Sequence, residues 1–437
     1  MNDRKNLPDV SKEAGTPPVE SESKARPLIS ETDLDDARVR VAPVVDPQRV
    51  RSLDVLRGFA LFGVLLMNMQ AFADVFAAYL NPFAVGEISS LDYACWCVNH
   101  VLADGKFITI FSMLFGAGIG LMTARSQSRA GRSAGVHYRR MAWLMLFGLA
   151  HALLLWNGDI LFLYGLVGLV AYWFRRFRFW ILIFIASFLL LIPPLFFTMV
   201  GQMPAEDLEQ MRQTWAPSDE YVESIRVAMR GNWMDQMSVR VEGWTEMLSF
   251  ILIFGWRVLA CMLLGMAFYA RDVFSATCSR QFYLGLVVIG FGVGLPLAAW
   301  GIYDHELYDW EMVRGMGVGS LFNYFGSLFA AFGWIGVVML ACRADVMPGL
   351  RHRIGAVGQL AFTNYIMHSV VCTMIYNGHG FGLFGYVDRI WQQVLAVAIF
   401  VFQLWYSPLW LQRFRFGPLE WLWRSLTYWQ RQPFRRA

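Results

Sequence analysis

Four short stretches of this sequence place ionisable or amide side chains inside or beside long apolar runs. The stretches begin at Asp54, Asn99, His151 and Thr363. A charged side chain in the middle of a membrane-spanning helix costs about 2.5–3.5 kcal/mol on insertion scales, so it needs a partner or a function. These four stretches therefore contain the candidate functional residues.

Histidines with nearby carboxylates are the side chains in these stretches best suited to acid–base chemistry. A neutral imidazole takes a proton from a hydroxyl group near pH 7, and a carboxylate orients the ring. We predict His100, His151 and Asp159 as catalytic residues. His100 would be the general base or nucleophile, with Asp159 or Asp104 orienting it and His151 in support.

Other candidates would bind substrates rather than react, and we expect all of them to line one cavity. The predicted acyl-donor-binding residues are Arg57, Lys106 and Arg140, and the predicted substrate-binding residues are Asp54, Asn364 and His368. The positive groups would hold phosphates of an acyl-CoA donor or stabilise a developing oxyanion. No tightly bound cofactor is expected. No metal site is expected either, because Cys95 and Cys97 lack a second pair at zinc spacing.

Each candidate also has a purely structural interpretation, which the sequence leaves open. Asp54 and Arg57 are three residues apart, so they would pair on one helix face. Asp159 would cap the helix that follows it, and Lys106 would extend towards the headgroups. A lone histidine in a membrane helix, such as His368, usually hydrogen-bonds a neighbouring helix.

The elements that carry these residues are predicted to be membrane-spanning helices. Of the 437 residues, 57% are hydrophobic and 16% are charged, whereas soluble domains average about 45–50% apolar and about 25% charged residues. Apolar runs long enough to cross hydrocarbon recur along the chain, without the period-2 alternation of an outer-membrane barrel. The predicted fold class is therefore all-α, a polytopic transmembrane helical bundle.

The placement of Lys and Arg predicts the topology. These residues cluster in alternating connections, so the positive-inside rule gives about ten helices with both termini cytoplasmic. The predicted helices cover residues 53–73, 107–124, 141–156, 160–174, 179–200, 247–270, 282–301, 316–341, 354–376 and 390–410. Residues 89–105 are too short and polar to cross, and are predicted to form a helix at the outer interface or dipping into the membrane.

Composition also divides the chain into regions. Residues 1–45 are predicted to be a disordered cytoplasmic tail, and residues 46–410 the transmembrane bundle. Residues 201–246 are predicted to be an extracytoplasmic amphipathic segment, and residues 411–437 a basic cytoplasmic tail.

Five sequence motifs resemble the bacterial YeiB-like proteins, whose C-terminal half is domain of unknown function 418. In chain order the motifs are RVRSLDVLRGFALFGVLLMN, KFITIFSMLFGAGIGLM, HALLLWNGDILFLYGLVG, GQLAFTNYIMHSV and FGPLEWLWRSLTYWQRQPFRR. The resemblance covers residues 49–436. It implies that domain of unknown function 418 lies at about residues 247–430.

The LDVLRGFAL segment is similar to the first helix of transmembrane sugar acyltransferases. These enzymes take an acyl group from acetyl-CoA on one side of the membrane and place it on a glycan on the other, using a membrane-embedded histidine. The resemblance implies an acyltransferase-like half at about residues 46–200. His100 lies a little before the FSMLFG helix, where such a histidine would be sought.

The resulting functional prediction is a multi-pass protein of the bacterial inner membrane that moves an acyl group from acyl-CoA to an envelope or exported glycan. Two other classes stay open: a transporter or exporter of a small solute, and a non-catalytic membrane scaffold or sensor. The expected partners are the lipid bilayer and a glycan or small-molecule substrate. No nucleic acid partner is expected.

Overall fold

Helices make up the regular structure of the protein in the computed structural model, which describes residues 50–127 and 133–436. Apart from an isolated bridge between Phe414 and Arg435, these residues form no β-structure. The predicted all-α fold class is confirmed. The tail predicted for residues 1–45 lies outside the described residues.

The helices of the first half hold three of the four candidate stretches. Those of eight or more residues are α1 Arg51–Ala73, α2 Ser90–Leu102, α3 Lys106–Gln127, α4 Ser133–Leu154, α5 Leu161–Ala171, α6 Phe179–Leu189 and α7 Ile192–Met199. A five-residue helix, Phe76–Leu80, lies between α1 and α2. The predicted helix at residues 89–105 is thus present as α2, and α3 follows it after three residues.

The helices of the second half include two short ones that precede a long span. They are α8 Ala205–Trp215, α9 Asp219–Arg230, α10 Asp235–Ala270, α11 Arg280–Leu307, α12 Ser320–Arg343, α13 Pro348–Gln359, α14 Ala361–Tyr376, α15 Arg389–Arg413 and α16 Pro418–Tyr428. The predicted amphipathic segment 201–246 consists of α8, α9 and the first turns of α10.

Seven helical stretches of the described chain are long and apolar enough to cross a membrane. They are Arg51–Ala73, Ser90–Thr123, Phe179–Gln202, Asp235–Ala270, Arg280–Leu307, Met312–Arg343 and Arg389–Arg413. The predicted count of about ten is not confirmed. The other three predicted spans fall in α4, whose first turns are polar, in the short apolar stretch Leu161–Phe174, and in α13 and α14, which are separated by a break at Leu360.

Glycines allow the central helices to pack backbone against backbone. A Cβ atom at Gly58 would overlap the backbone of Ile354, and one at Gly358 would overlap the Asp54 carbonyl. The helices α1 and α13 therefore cross at a distance that a side chain would prevent.

Gly116, Gly118 and Gly120 of α3 follow one another at every second position, and two of the three allow close packing. A Cβ atom at Gly116 would overlap the Met262 carbonyl, and one at Gly120 would press on Tyr269. Gly118 has nothing within 4 Å of the same position. The contact therefore involves one face of α3, against α10.

The two ends of α1 define two ends of the bundle. Arg57 lies near its start, whereas Asp74, just after its last residue, accepts two hydrogen bonds of 2.6 and 3.0 Å from Arg226 of α9. We call the end that contains α8 and α9 the distal end, and the end that contains Arg57 the arginine end. At the distal end α8 is tied down as well, because Asn81 donates to the Trp215 carbonyl at 3.2 Å.

Candidate functional site

Most of the predicted site residues fall into three hydrogen-bonded or electrostatic groups instead of one cluster, and Asn364 and His368 lie outside these groups. The Ser369 chain consists of Asp159, His151 and Ser369; the His100 group of Tyr79, His100, Asp104, Lys106 and Asn323; and the arginine group of Arg57, Arg140 and Arg424. The first two lie at similar depth along α1, because Asn99 donates to the Leu66 carbonyl and Cys372 contacts Met69.

The Ser369 chain joins three separate segments through one imidazole ring. His151 of α4 has its Nδ1 atom 2.8 Å from an Asp159 oxygen and its Nε2 atom 2.7 Å from the Ser369 hydroxyl oxygen of α14. The other Asp159 oxygen accepts the backbone N–H of Phe162 at 2.7 Å. Asp159 therefore both caps α5, as its structural interpretation predicted, and orients His151.

This order of groups fixes the chemistry that the chain can perform. In the tautomer that carries its proton on Nδ1, His151 donates that N–H to Asp159, and Nε2 is left to accept the hydroxyl of Ser369. Serine, histidine and aspartate arranged in this order activate a nucleophile for acyl transfer. His151, Asp159 and Ser369 are only 3%, 2% and 0% exposed, so this chain of hydrogen bonds is buried inside the protein.

Two other predicted residues of α14 bond within the protein. Asn364 donates to the Val357 carbonyl at 3.1 Å and accepts the hydroxyl of Tyr406. The bond to Val357 bridges the break between α13 and α14. The Asn364 side chain therefore holds these helices together. His368 is 2% exposed and packs beside Gln403 of α15.

Glu420 holds the start of α14, the helix that carries Ser369. Its carboxyl group accepts the backbone N–H groups of Phe362 and Thr363 at 2.7 and 3.1 Å, and the Thr363 hydroxyl at 2.5 Å. Burial raises the pKa of Glu420, and these hydrogen bonds oppose the rise. The GPLEW motif therefore supplies a cap to a helix about 60 residues earlier in the chain.

The His100 group surrounds a buried ammonium. Nδ1 of His100 lies 3.2 Å from an Asp104 oxygen, and Asp104 also accepts Asn323 at 2.7 Å and the Tyr79 hydroxyl. Lys106 donates to the His100 carbonyl at 2.6 Å and to Asn323 at 2.7 Å. Lys106 is 0% exposed, so the prediction that it extends to the headgroups is wrong. Burial, followed by the Asp104 charge, raises the pKa of Tyr79, which keeps its proton as a donor.

Aromatic rings connect His100 to α8 at the distal end. Trp96 stacks on His100 with ring centroids 4.8 Å apart, and Trp310 packs edge-on against Trp96. Trp215, the last residue of α8, donates to the Trp310 carbonyl at 2.8 Å. The side chain of His100 nevertheless keeps 14% of its surface exposed, unlike His151.

Arg257 is a buried cation that the sequence interpretation missed. It donates to Thr109 at 3.0 Å, to Ser327 at 2.7 Å and to the Tyr324 carbonyl at 2.7 Å. The signal was present, because Arg257 interrupts the apolar run ILIFGWRVLACMLLG. An arginine in such a run indicates a function by default.

The arginine group brings together predicted donor-binding residues from α1 and α4. Arg57 pairs with Asp54 at 3.1 Å, as its structural interpretation predicted. The Arg140 guanidinium lies 4.5 Å from the ring centre of Trp423, and Arg57 and Arg424 are near enough to act on it electrostatically. Three guanidinium groups in one place favour a ligand with several negative charges.

Comparisons with known proteins place this architecture among homologues. Residues 268–430 match the family model described as protein of unknown function (DUF418). The chain is 29% identical to the uncharacterized protein YxaH of Bacillus subtilis over 413 residues, 90% of this chain and 97% of the relative. It is also 29% identical to the uncharacterized protein YeiB of Escherichia coli over 405 residues, 87% of this chain and 96% of the relative.

A third relative extends the comparison to another bacillus. It is an uncharacterized 39.9 kDa protein of Bacillus acidopullulyticus, 25% identical over 386 residues, which cover 88% of this chain and 96% of the relative. The matched region begins at residue 268, near the end of α10, and ends at residue 430, just after α16. The chain is thus a helical membrane protein whose residues 268–430 match the DUF418 family model, and it is similar to YeiB and YxaH over most of its length.

Proposed function

We propose that this protein is an acyltransferase of the bacterial inner membrane that moves an acyl group from acyl-CoA to an envelope or exported glycan. The observation that carries the proposal is the hydrogen-bonded order Asp159–His151–Ser369. The resemblance of the LDVLRGFAL segment to sugar acyltransferases supports the choice of donor and acceptor.

The first step loads Ser369. Its hydroxyl oxygen attacks the thioester carbonyl carbon while its proton passes to Nε2 of His151. The carbon–sulfur bond then breaks, and the leaving CoA thiolate takes the proton from His151. Asp159 stabilises the imidazolium that exists between these events. The product is an ester on Ser369, and His151 is neutral again.

Tyr365 is a candidate for stabilising the oxyanion of this step. It lies one turn before Ser369 on α14, and its ring centre is 5.3 Å from that of His151. Its buried hydroxyl lies beside Ile160 but makes no hydrogen bond of ordinary geometry with a described residue. A hydroxyl donor that is already in place and shielded from water can stabilise the oxyanion without rearrangement of its surroundings.

The second step passes the acyl group to an acceptor hydroxyl, for which His100 is our candidate base. Asp104 on Nδ1 leaves Nε2 as the acceptor, and the ring is partly exposed at the same depth as Ser369. The acceptor oxygen attacks the Ser369 ester and gives its proton to His100. Ser369 leaves as an alkoxide and takes the proton from water through His151, which restores the resting chain; His100 returns its proton to water.

The donor would bind at the arginine group, where Arg57, Arg140 and Arg424 meet. Phosphate and pyrophosphate groups of CoA match guanidinium forks in charge and geometry. Acyl-CoA is a substrate in this scheme and not a resident cofactor. Because the Ser369 chain is buried, α14 would have to move relative to α4 for an acyl chain to reach it in this scheme.

Covalent loading tests the proposal directly. Full-length protein in nanodiscs, incubated with radiolabelled acetyl-CoA or palmitoyl-CoA, should release CoA and carry an acyl group on Ser369 detectable by mass spectrometry. Ser369→Ala should lose the label, and His151→Ala should slow loading about 10³-fold or more. Thr373→Ala removes another buried hydroxyl from the same helix and is the matched control. His100→Ala should load normally and accumulate the acyl-serine, because it lacks the second base.

Two results would contradict acyl transfer at this site. One is CoA release that Ser369→Ala leaves unchanged, which would assign the hydroxyl to helix packing. The other is protein that consumes neither acyl-CoA. If cells with His100, His151 and Asp159 all replaced also behaved like cells with the parent protein and unlike cells without it, a non-catalytic scaffold or sensor would be the remaining function.

Transport of a small solute is the second candidate, favoured by polar groups along α3. Asp104, just before α3, is followed by Lys106, Thr109 and Ser112, and Ser112 accepts or donates to Tyr164 of α5 at 3.1 Å. Such a buried series is typical of proton relays in transporters. Uptake into proteoliposomes that follows a pH gradient and ignores acyl-CoA would favour this function.

A further inference from the structure

We propose that Lys106 and Arg257 form a binding site for a phosphate group inside the helical bundle. The phosphate belongs either to a phospholipid headgroup or to a free phosphate species, since both present the same oxyanion. The proposal is independent of acyl transfer, because it rests on a charge imbalance and is tested by binding.

The two cations are adjacent. Lys106 and Thr109 are three residues apart on one face of α3, and Arg257 of α10 donates to Thr109 at 3.0 Å. The charges of Lys106 and Arg257 also act on one another. Two positive groups therefore lie side by side, 0% and 8% exposed.

The described residues supply only one negative charge to this place. Asp104 acts on Lys106, but neither Lys106 nor Arg257 has a carboxylate within the 4.0 Å of an ion pair. All three hydrogen bonds of Arg257 end on neutral oxygens. Asp304, a buried carboxylate of the neighbouring α11, is already paired with Arg314 at 2.6 and 3.0 Å. With Lys106 and Arg257 both protonated, the count is two positive charges against the one negative charge of Asp104.

An excess buried charge is unfavourable unless something compensates it. Removing an ion from water has a large cost, and a bilayer interior offers no solvent to reduce it. A bound anion would restore neutrality. The local imbalance therefore indicates a ligand of charge −1 or −2 and disfavours a cation or a neutral sugar at this position.

Unused donors match a phosphate. Arg257 makes bonds through both terminal nitrogens, which leaves Nε–H and one terminal N–H. Lys106 uses two of its three N–H groups, for the His100 carbonyl and Asn323. These remaining charged donors form the short, strong hydrogen bonds that phosphate oxygens accept.

A stability measurement in phosphate-free detergent tests the site and separates its two sources. Delipidated full-length protein in a maltoside detergent is titrated with sodium phosphate against sodium chloride of equal ionic strength, and separately with phosphatidylglycerol against phosphate-free diacylglycerol. A ligand that binds only the folded protein raises the unfolding temperature as its concentration passes Kd. A response to sodium phosphate would identify a free phosphate as the ligand, and a response to phosphatidylglycerol would identify a phospholipid headgroup.

Variants decide whether the response comes from this site. Lys106→Met and Arg257→Gln should each weaken the apparent affinity about ten-fold or more, because each removes a positive charge together with its unused N–H donors. Arg257→Lys should keep part of the response, since it keeps the charge without the planar fork. Arg351→Gln, at a surface arginine paired with Asp345, is the control and should respond like the parent protein.

Two outcomes would overturn the proposal. One is the absence of a phosphate-specific shift in both arms. The other is a shift of equal size and midpoint in the parent protein and in Lys106→Met. If Arg257→Gln does not fold, Lys106→Met and Arg257→Lys still give this decision, because they change the two cations separately.

Discussion

Buried hydroxyl groups on α3 bond back to their own helix, and Ser369 does not. Thr109, Ser112 and Thr123 each donate to the carbonyl four residues earlier, at 2.7–3.0 Å. This is the usual position for a hydroxyl within a helix. The hydroxyl of Ser369 instead lies 2.7 Å from His151, a residue 218 positions away. That direction makes the group available to a base.

Asp159→Asn should lower the rate of acyl loading while leaving the stability of the protein nearly unchanged. The side-chain oxygen of the introduced amide can still accept the Phe162 N–H, so the cap on α5 and the unfolding free energy should change by less than about 1 kcal/mol. The new amide N–H, however, faces Nδ1 and favours the tautomer with a proton on Nε2, which cannot accept from Ser369. We expect acyl loading to fall about 10³–10⁴-fold.

Rate and stability measured on the same preparation check this expectation. A loss of loading that is matched by a comparable loss of stability would instead indicate that the substitution disturbs the fold. Asp235→Asn is a suitable control, because Asp235 also accepts a backbone N–H just before a helix, that of Asn232, but forms no pair with an imidazole among the described residues.

At this scale the sequence predicts the residue types but not their pairing. His151 and Asp159 are eight residues apart, so their relationship follows from one local turn. Ser369 lies in the stretch that begins at Thr363, yet its contact with His151 depends on how α14 packs against α4. Lys106 and Arg257 come together for the same reason, across α3 and α10. Local periodicity carries no information on such contacts.

At the scale of elements, the short capped helix α14 depends on Glu420. Glu420→Ala would leave the N–H groups of Phe362 and Thr363 buried without an acceptor. We expect a loss of about 2–4 kcal/mol in unfolding free energy, since each orphaned polar group costs about 1–3 kcal/mol. Denaturant unfolding measures it, with the exposed Glu209→Ala as a control. A loss no larger than that of the control would exclude the capping role.

The same carboxyl group gives the stability a pH dependence. Burial raises the pKa of Glu420 above its ordinary value of 4.5, so between 4.5 and the folded value the folded protein binds a proton that the unfolded chain has lost. The contribution of Glu420 is therefore full below pH 4.5 and declines as pH rises through the folded pKa. Glu420→Gln should flatten this part of a stability–pH curve. If the stability–pH curve of Glu420→Gln ran parallel to that of the parent protein, the pH dependence would come from other titratable groups.

At the scale of the whole molecule, composition predicts the class of fold, and contacts at glycines determine how closely the helices pack. The count of apolar, uninterrupted runs indicated a bundle without any knowledge of tertiary contacts. It did not reveal the break at Leu360, because residues 354–376 form one mostly apolar run across it. The break lies in the backbone geometry, and the bond from Asn364 to the Val357 carbonyl bridges it. Span counts taken from hydropathy alone therefore join helices that the structure separates.

The crossing of α3 and α10 is where a small change should affect the entire bundle. A Cβ atom at Gly265 would overlap the Met113 carbonyl, just as one at Gly116 would overlap the Met262 carbonyl. Overpacking of this kind costs about 1–3 kcal/mol or more. Gly265→Ala should therefore lower the unfolding temperature, whereas Gly118→Ala, with open space around it, should not. Equal melting curves would show that the helices separate without cost.

The orientation of the molecule is the last expectation to test, because the positive-inside rule predicts it from charge alone. The rule places α9 outside the cytoplasm and the α12–α13 connection inside, and these lie at the distal and arginine ends. Ser224→Cys and Val346→Cys introduce exposed thiols at the two ends. In spheroplasts a membrane-impermeant maleimide should label Ser224→Cys at once but Val346→Cys only after permeabilisation, with the parent protein, which has six free cysteines, as the background. The reverse order would invert the protein in the membrane. It would also place the arginine group on the side without acyl-CoA, so the donor scheme would fail with the topology.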